Sequence, residues 1–177
     1  TLTYAATTLP SWLSFNTTTG VLSGTPNNSK VGAHSVVLTV TEGNGDVTTQ
    51  SFTITVSNTN DAPTVTSTAV TSVNEDASYS YTFAASDVDS GDTLTYAATT
   101  KPSWLSFNTT TGVLSGTPDN GDVGSHSVVL TATDNDGLVA TQSFTVAVSN
   151  VNDDPTLTVT NGSITEDSGT YTVSGTL

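Results

Sequence analysis

Ser125-His-Ser-Val-Val-Leu-Thr-Ala-Thr133 alternates along its length, with Val128 and Leu130 on one face. Ala140-Thr-Gln-Ser-Phe-Thr-Val-Ala-Val-Ser149 does the same, and Phe144, Val146 and Val148 share a face. A period of two is that of a pleated strand with one side on a core. Similar segments precede them. Thr64 to Val70 opens just after Pro63, a good strand start, and Tyr79 to Ala85, Thr93 to Thr99, Ser103 to Phe107 and Val113 to Gly116 follow. Asn108-Thr-Thr-Thr-Gly112 reads as a turn, because Asn and Gly tolerate turn backbone angles. About seven strands in about ninety residues, with no helical period, is the pattern of an Ig-like sandwich. Trp104, Phe107, Leu130, Phe144 and Val146 are expected to face inward.

The same text occurs twice. Trp12 returns as Trp104, Gly24 as Gly116, His34 as His126, Phe52 as Phe144 and Pro63 as Pro155, each pair 92 residues apart with no gap. A period this long matches one whole domain per repeat and exceeds the short solenoid units. The chain therefore reads as tandem modules. Residues 1–61 form a partial module that lacks opening strands, 62–153 a complete one, and 154–177 the opening strands of a third. The expectation is of a window cut from a longer protein.

Sixteen acids against two bases give a net charge of −14 and a pI near 4.1. That excess repels nucleic acid and anionic membrane and favours cations as partners. Apolar residues make up 34% of the chain, in short runs rich in Val, Thr, Phe and Tyr that suit strands. No run is apolar enough to cross a bilayer or to serve as a signal peptide. Cysteine and methionine are absent, so no disulfide holds the modules together, which suits an exported bacterial protein.

Pro102-Ser-Trp-Leu-Ser-Phe-Asn108 and Thr111-Gly-Val-Leu-Ser-Gly-Thr-Pro118 resemble the dystroglycan-type cadherin-like modules, also called putative-Ig repeats. So do Asp122-Val-Gly124, Thr133-Asp-Asn-Asp-Gly137 and the junction Asn150-Val-Asn-Asp153. The tail from Ile164 to Leu177 looks more like the opening of a related Ig-like repeat of giant bacterial surface proteins. The resemblance implies tandem Ig-like or cadherin-like β-sandwich modules, an all-β fold, and calcium at module junctions. It also implies a place in large adhesins or secreted polysaccharide-degrading proteins.

The residues give calcium some support of their own. Calcium takes several oxygen ligands gathered from converging loops. Alternate loops of a sandwich share one end. Asp87, Asp89 and Asp92 in one loop and Asp134 and Asp136 in another should lie at the top, beside the incoming linker. The expected ligands there are Asp87, Asp89, Asp134 and Asp136 with Asn58, Asn60 and Asp61. At the bottom, Glu75, Asp119 and Asp122 are expected to meet Asn150, Asn152 and Asp153. The competing reading is that Asp and Asn simply prefer turns. The junctions should also differ, because Asp119 and Asp122 stand where the first copy has Asn27 and Lys30.

Other motifs carry less. Trp12 and Trp104 read as core rather than sugar platforms, since their neighbours are apolar. His34 and His126 have no second histidine or cysteine nearby to complete a transition-metal site. No nucleophile stands with a base, and the paired carboxylates lie in turns, so the chain is not expected to be an enzyme. Thr-rich strands such as Thr64-Val-Thr-Ser-Thr68 are exposed strand threonines, because a twisted sandwich offers no flat ice-binding array. Two functions remain. One is a calcium-stiffened extender of a secreted or cell-surface bacterial adhesin, whose partners are calcium and its own neighbouring modules. The other is a module that itself engages polysaccharide or a second cadherin-like module.

Overall fold

The structure is a computed structural model that describes residues 1–154. The third set of opening strands expected in 154–177 lies outside these residues, apart from Asp154. Every element but two single 3-10 turns is a β-strand. The first copy contributes β1 (Thr3–Thr8), β2 (Leu13–Phe15), β3 (Leu22–Gly24), β4 (Gly32–Thr41) and β5 (Val47–Val56). The second contributes β6 (Thr64–Val65), β7 (Ser72–Asn74), β8 (Tyr79–Thr82), β9 (Ala85–Ser86), β10 (Thr95–Thr100), β11 (Leu105–Phe107), β12 (Val113–Gly116), β13 (Gly124–Thr133) and β14 (Val139–Ser149).

The second copy is a β-sandwich. One sheet runs β10-β13-β14-β7 and the other β11-β12-β8, with β6 and β9 paired at one side. All pairs are antiparallel except β7 with β14, which run parallel over Ser72–Asn74 and Ala147–Ser149. Alternation places Val128, Leu130 and Ala132 of β13 and Val146 of β14 inside, against Tyr79, Tyr81, Phe83, Leu105 and Leu114 of the facing sheet. Leu130 and Val146 are fully buried, whereas Trp104, Phe107 and Phe144 are half-buried and pack on that core. Trp104 meets Tyr79 and His126 edge-on, at ring separations of 5.8 and 5.9 Å. Burial, and then Tyr81, pushes the Tyr79 phenol up to about 12, so its hydroxyl stays a donor to the Val70 carbonyl at 2.8 Å.

Two expected strands are divided. Thr64 to Val70 is strand only at Thr64–Val65, and the chain then crosses to pair with β14 through Ser72–Asn74. Tyr79 to Ala85 bends at Phe83-Ala84, where the Ala84 N–H turns to the Ser67 hydroxyl at 2.8 Å. The 108–112 turn is present. Asn108 Oδ1 accepts from the N–H groups of Thr110 and Thr111, and Asn16 does the same in the first copy.

In the first copy β1, β4 and β5 form one sheet and β2 and β3 a separate hairpin. No described strand takes the places of β7 and β8, and only Val36 is a fully buried apolar residue there. One glycine pair shows the difference. Gly20 and Gly112 both sit at φ 71, which strains any L side chain. A Cβ at Gly112 would also lie 2.3 Å from the Phe83 carbonyl oxygen, whereas at Gly20 nothing lies within 4 Å. Gly112→Ala is therefore expected to destabilise its copy clearly more than Gly20→Ala does. Equal losses of melting temperature in the two variants would mean that the Phe83 backbone does not press on this turn.

Candidate metal centre

Three loops meet between the copies: the linker 57–62, the loop after β9, and the β13–β14 loop. In the first of these, the Asp61 N–H donates to Asp89 Oδ2 at 2.6 Å, and Asn60 Nδ2 donates to Asp134 Oδ2 at 2.9 Å. From the 3-10 turn Asn28–Lys30, Asn28 Nδ2 donates to Asp61 Oδ2 at 2.7 Å and to Asp89 Oδ1 at 3.0 Å. One amide of the first copy thus touches both the linker and a loop of the second.

Behind these contacts the carboxylates of Asp87, Asp92 and Asp134 each offer an oxygen within 4.8 Å of the others. Backbone donors fix two of the loops. Asp87 Oδ1 accepts from the Asp89 N–H, and Asp134 Oδ1 accepts from the N–H groups of Asp136 and Leu138. Asp89 and Asp134 are nine-tenths buried. Asp87 Oδ2 and Asp92 Oδ2 are out of solvent and have no hydrogen-bond partner. Buried oxygens without donors are costly, and a bound cation removes that cost. The donor set fits a hard cation: three carboxylates from two loops, with no thiolate in the chain.

The charges are uneven. Burial, and then repulsion from Asp87, Asp134, Asp89 and Asp136, holds the Asp92 carboxyl above its ordinary range. Burial acts on Asp134 in the same sense, but donors from Asn60 and from the backbone of Leu138, Gly137 and Asp136 outweigh it and lower the pKa. The two groups therefore tilt stability in opposite directions. The raised Asp92 favours the folded state below its unfolded pKa, and this is lost as pH rises through the folded value. The lowered Asp134 favours it above the unfolded pKa, and this is lost as pH falls through the folded value. In EDTA, Asp92→Asn is expected to raise the melting temperature at neutral pH and to weaken its fall between the acid carboxylate range and neutrality. A lower melting temperature in EDTA would show that the Asp92 anion stabilises the apo junction.

Of the other residues expected here, Asn58 lines an open pocket of about 330 Å³ with Asn27, Asn28 and Asp61, on the first copy's side. Asp136 is exposed. Asp92 and Asn28 were absent from the expected ligand set. Asp92 shares its loop with Asp87 and Asp89, so its signal was present. Asn28 lies 33 residues from Asp61 and 61 from Asp89, and no local pattern marks it.

The bottom of the second copy is arranged differently. Asp119 caps the 3-10 turn Asn120–Asp122, accepting from the Gly121 N–H at 2.8 Å, while Asp122 Oδ2 accepts from the Asp119 N–H at 3.1 Å. That reciprocal capping box engages both acids locally, as turn chemistry does. The first copy's turn, begun by Asn27, has no side-chain cap. Glu75 is 2% exposed; its Oε1 accepts from the Val151 N–H and its Oε2 has no partner. Asn120 Nδ2 donates to Asp153 Oδ2 at 2.9 Å, repeating the Asn28–Asp61 bond, and Asn152 Nδ2 donates to the Asp153 carbonyl. Asn150 is exposed. Among the described residues the bottom acids do not draw together as Asp87, Asp92 and Asp134 do.

A family model described as putative Ig domain matches residues 1–57 and 62–149. No curated protein matches the chain. Among solved structures, a Drosophila N-cadherin fragment of four extracellular domains is similar at 15% identity, with a TM-score of 0.56, over 88% of this chain and 44% of that one. Human protocadherin-24, in a two-domain fragment, is similar at 19% identity, TM-score 0.54, over 85% of this chain and 82% of that one. An endo-fucoidan hydrolase of glycoside hydrolase family 107 is similar at 27% identity, TM-score 0.45, over 85% of this chain. The chain spans 24% of that hydrolase's length. Among the described residues no helix is long and apolar enough to cross a membrane.

Proposed function

The chain belongs to the putative Ig domain family, and from that premise we propose that it is a calcium-stiffened extender in a bacterial adhesin displayed outside the cell. One observation carries the reading. Asp87, Asp92 and Asp134 converge from two loops of the second copy, at the point where Asn28, Asn60 and Asp61 bring the first copy and the linker against them. A cation supplies the charge that such a cluster lacks. Asp87 and Asp92 would offer it their unpartnered oxygens, and Asp134 would offer a third. Asn60 and Asp61 orient the acids from the linker, and Asn28 ties the first copy to the same loops. With the repulsion offset, the linker holds one angle; without it, the like charges push the loops apart. Modules of dystroglycan-type cadherin-like character would then project a binding domain at a distance, with calcium and the neighbouring modules as their partners.

Calorimetry and small-angle scattering in calcium and in EGTA test this reading. A higher melting temperature and a longer maximum dimension in calcium are expected. No change in either would reduce these acids to turn residues. Strong binding of the double module to a glycan array would replace the extender with a polysaccharide-binding role.

A further inference from the structure

The acids of the junction fall into two groups. Asp87 and Asp92 each keep a buried oxygen with no donor, whereas Asp61 and Asp89 are joined through donors. Asp89 is 7% exposed and both its oxygens accept, Oδ1 from Asn28 Nδ2 at 3.0 Å and Oδ2 from the Asp61 N–H at 2.6 Å. The other hydrogen of the same Asn28 amide goes to Asp61 Oδ2 at 2.7 Å. One neutral group thus bridges two carboxylates, as a small cation would. The turn that carries it is fixed to the sandwich. His34 Nε2 donates to the Lys30 carbonyl at 2.6 Å, and the His34 ring packs edge-on against Trp12 at 5.7 Å. The second copy repeats the arrangement. His126 Nε2 donates to the Asp122 carbonyl at 2.6 Å, its ring meets Trp104, and Asn120 Nδ2 reaches Asp153 Oδ2 at 2.9 Å.

We infer, given the calcium reading proposed above, that Asn28 holds the place of a second cation and limits this junction to one ion, on the side of Asp87, Asp92 and Asp134. A cation entering between Asp61 and Asp89 would have to displace the three hydrogen bonds that meet there. Asn28 presents its N–H side to these acids, and calcium binds oxygen. Turning the amide to offer its oxygen strips a donor from both carboxylates, and Asp89 is buried, so water does not replace the loss. The amide supplies donors but no charge. It closes this place without offsetting the repulsion around Asp92, and that task stays with the single ion. The residue type at position 28 therefore sets the count. A carboxylate there would remove both donors and add its oxygens to those of Asp61 and Asp89. Asn120 holds Asp153 in the same way, so the restriction belongs to the repeat and not to one junction.

Titration calorimetry with calcium on the metal-stripped 177-residue chain, native and with Asn28→Asp, counts the ions. Ions bound elsewhere cancel in the difference, and one additional calcium per chain is expected in the variant. Asn27→Asp is the control. It adds the same charge one residue away, where the second copy has Asp119, and should leave the count unchanged. The bridge itself is read without metal. In EDTA, Asn28→Ala should lower the exchange protection of the Asp61 amide at least about tenfold, since both carboxylates lose a donor. An equal count in the native and Asn28→Asp chains would overturn the inference. So would an equal gain in Asn27→Asp, or unchanged protection of Asp61 in Asn28→Ala. Uptake by neither chain would overturn the calcium reading and the count together, whereas uptake without a gain in Asn28→Asp overturns the count alone.

Discussion

Calcium at about a hundredfold its dissociation constant is expected to stabilise the second copy by roughly 2.7 kcal/mol for each site filled. For a unit of about ninety residues this corresponds to a rise in melting temperature of roughly 10–20 °C. The effect arises because the ligands come from loops far apart in sequence, which converge only when the sandwich is folded. The unfolded chain offers no comparable set. Asp87→Asn and Asp134→Asn should each remove most of the calcium-dependent rise. Asp134→Asn also loses a favourable anion in EDTA, because the donors around Asp134 stabilise its charged form. Asp122→Lys, which places in the second copy what the first has at Lys30, should leave the rise at this junction intact, since Asp122 lies at the opposite pole. Scanning calorimetry reads all of these. A rise that survives Asp87→Asn and Asp134→Asn together would place the cation elsewhere.

Phe83→Ala is expected to cost the second copy about 3–5 kcal/mol, the usual range for deleting a buried aromatic side chain. Phe83 is 1% exposed, and its ring closes one end of the core against Tyr96. The strand around it is short, so little else there can collapse into the space left behind. Urea unfolding should show a lower midpoint with an unchanged slope for the second copy's transition. A loss under about 1 kcal/mol would contradict the packing of the Phe83 ring between the sheets.

Much of the fold was legible because apolar alternation in β13 and β14 reports directly which face is covered. Val113–Gly116 matched the sequence reading residue for residue, and β13 and β14 each start one residue earlier and end where expected. The opening strands were less legible. A period of two says that a segment is pleated, but not which sheet it joins, so the crossing between Val65 and Ser72 left no mark in the alternation. Tyr79, Tyr81 and Phe83 do alternate, yet their place at the centre of the core follows from the pairing of β8 with β12, a contact of long range. The same contrast holds at the junction. Asp87, Asp89 and Asp134 could be expected at one pole from loop order alone. Asn28 could not, because it reaches Asp61 and Asp89 only once two sandwich copies and a linker have taken up their relative positions.

The parallel pairing of β7 with β14 decides how the second copy answers a pull on its two ends. Tension enters near the start of the module and leaves just after its last strand. These are the two strands that lie side by side over Ser72–Asn74 and Ala147–Ser149, pointing the same way. Their hydrogen bonds then lie across the line of force and are sheared together instead of unzipping one after another. The contact is short, but the bonds from the Ala147 N–H to the Thr71 carbonyl and from the Glu75 N–H to the Ser149 carbonyl extend it at both ends. A tether built from such units yields in abrupt, separate rupture events, and each event releases the slack of one module while the rest of the line stays taut.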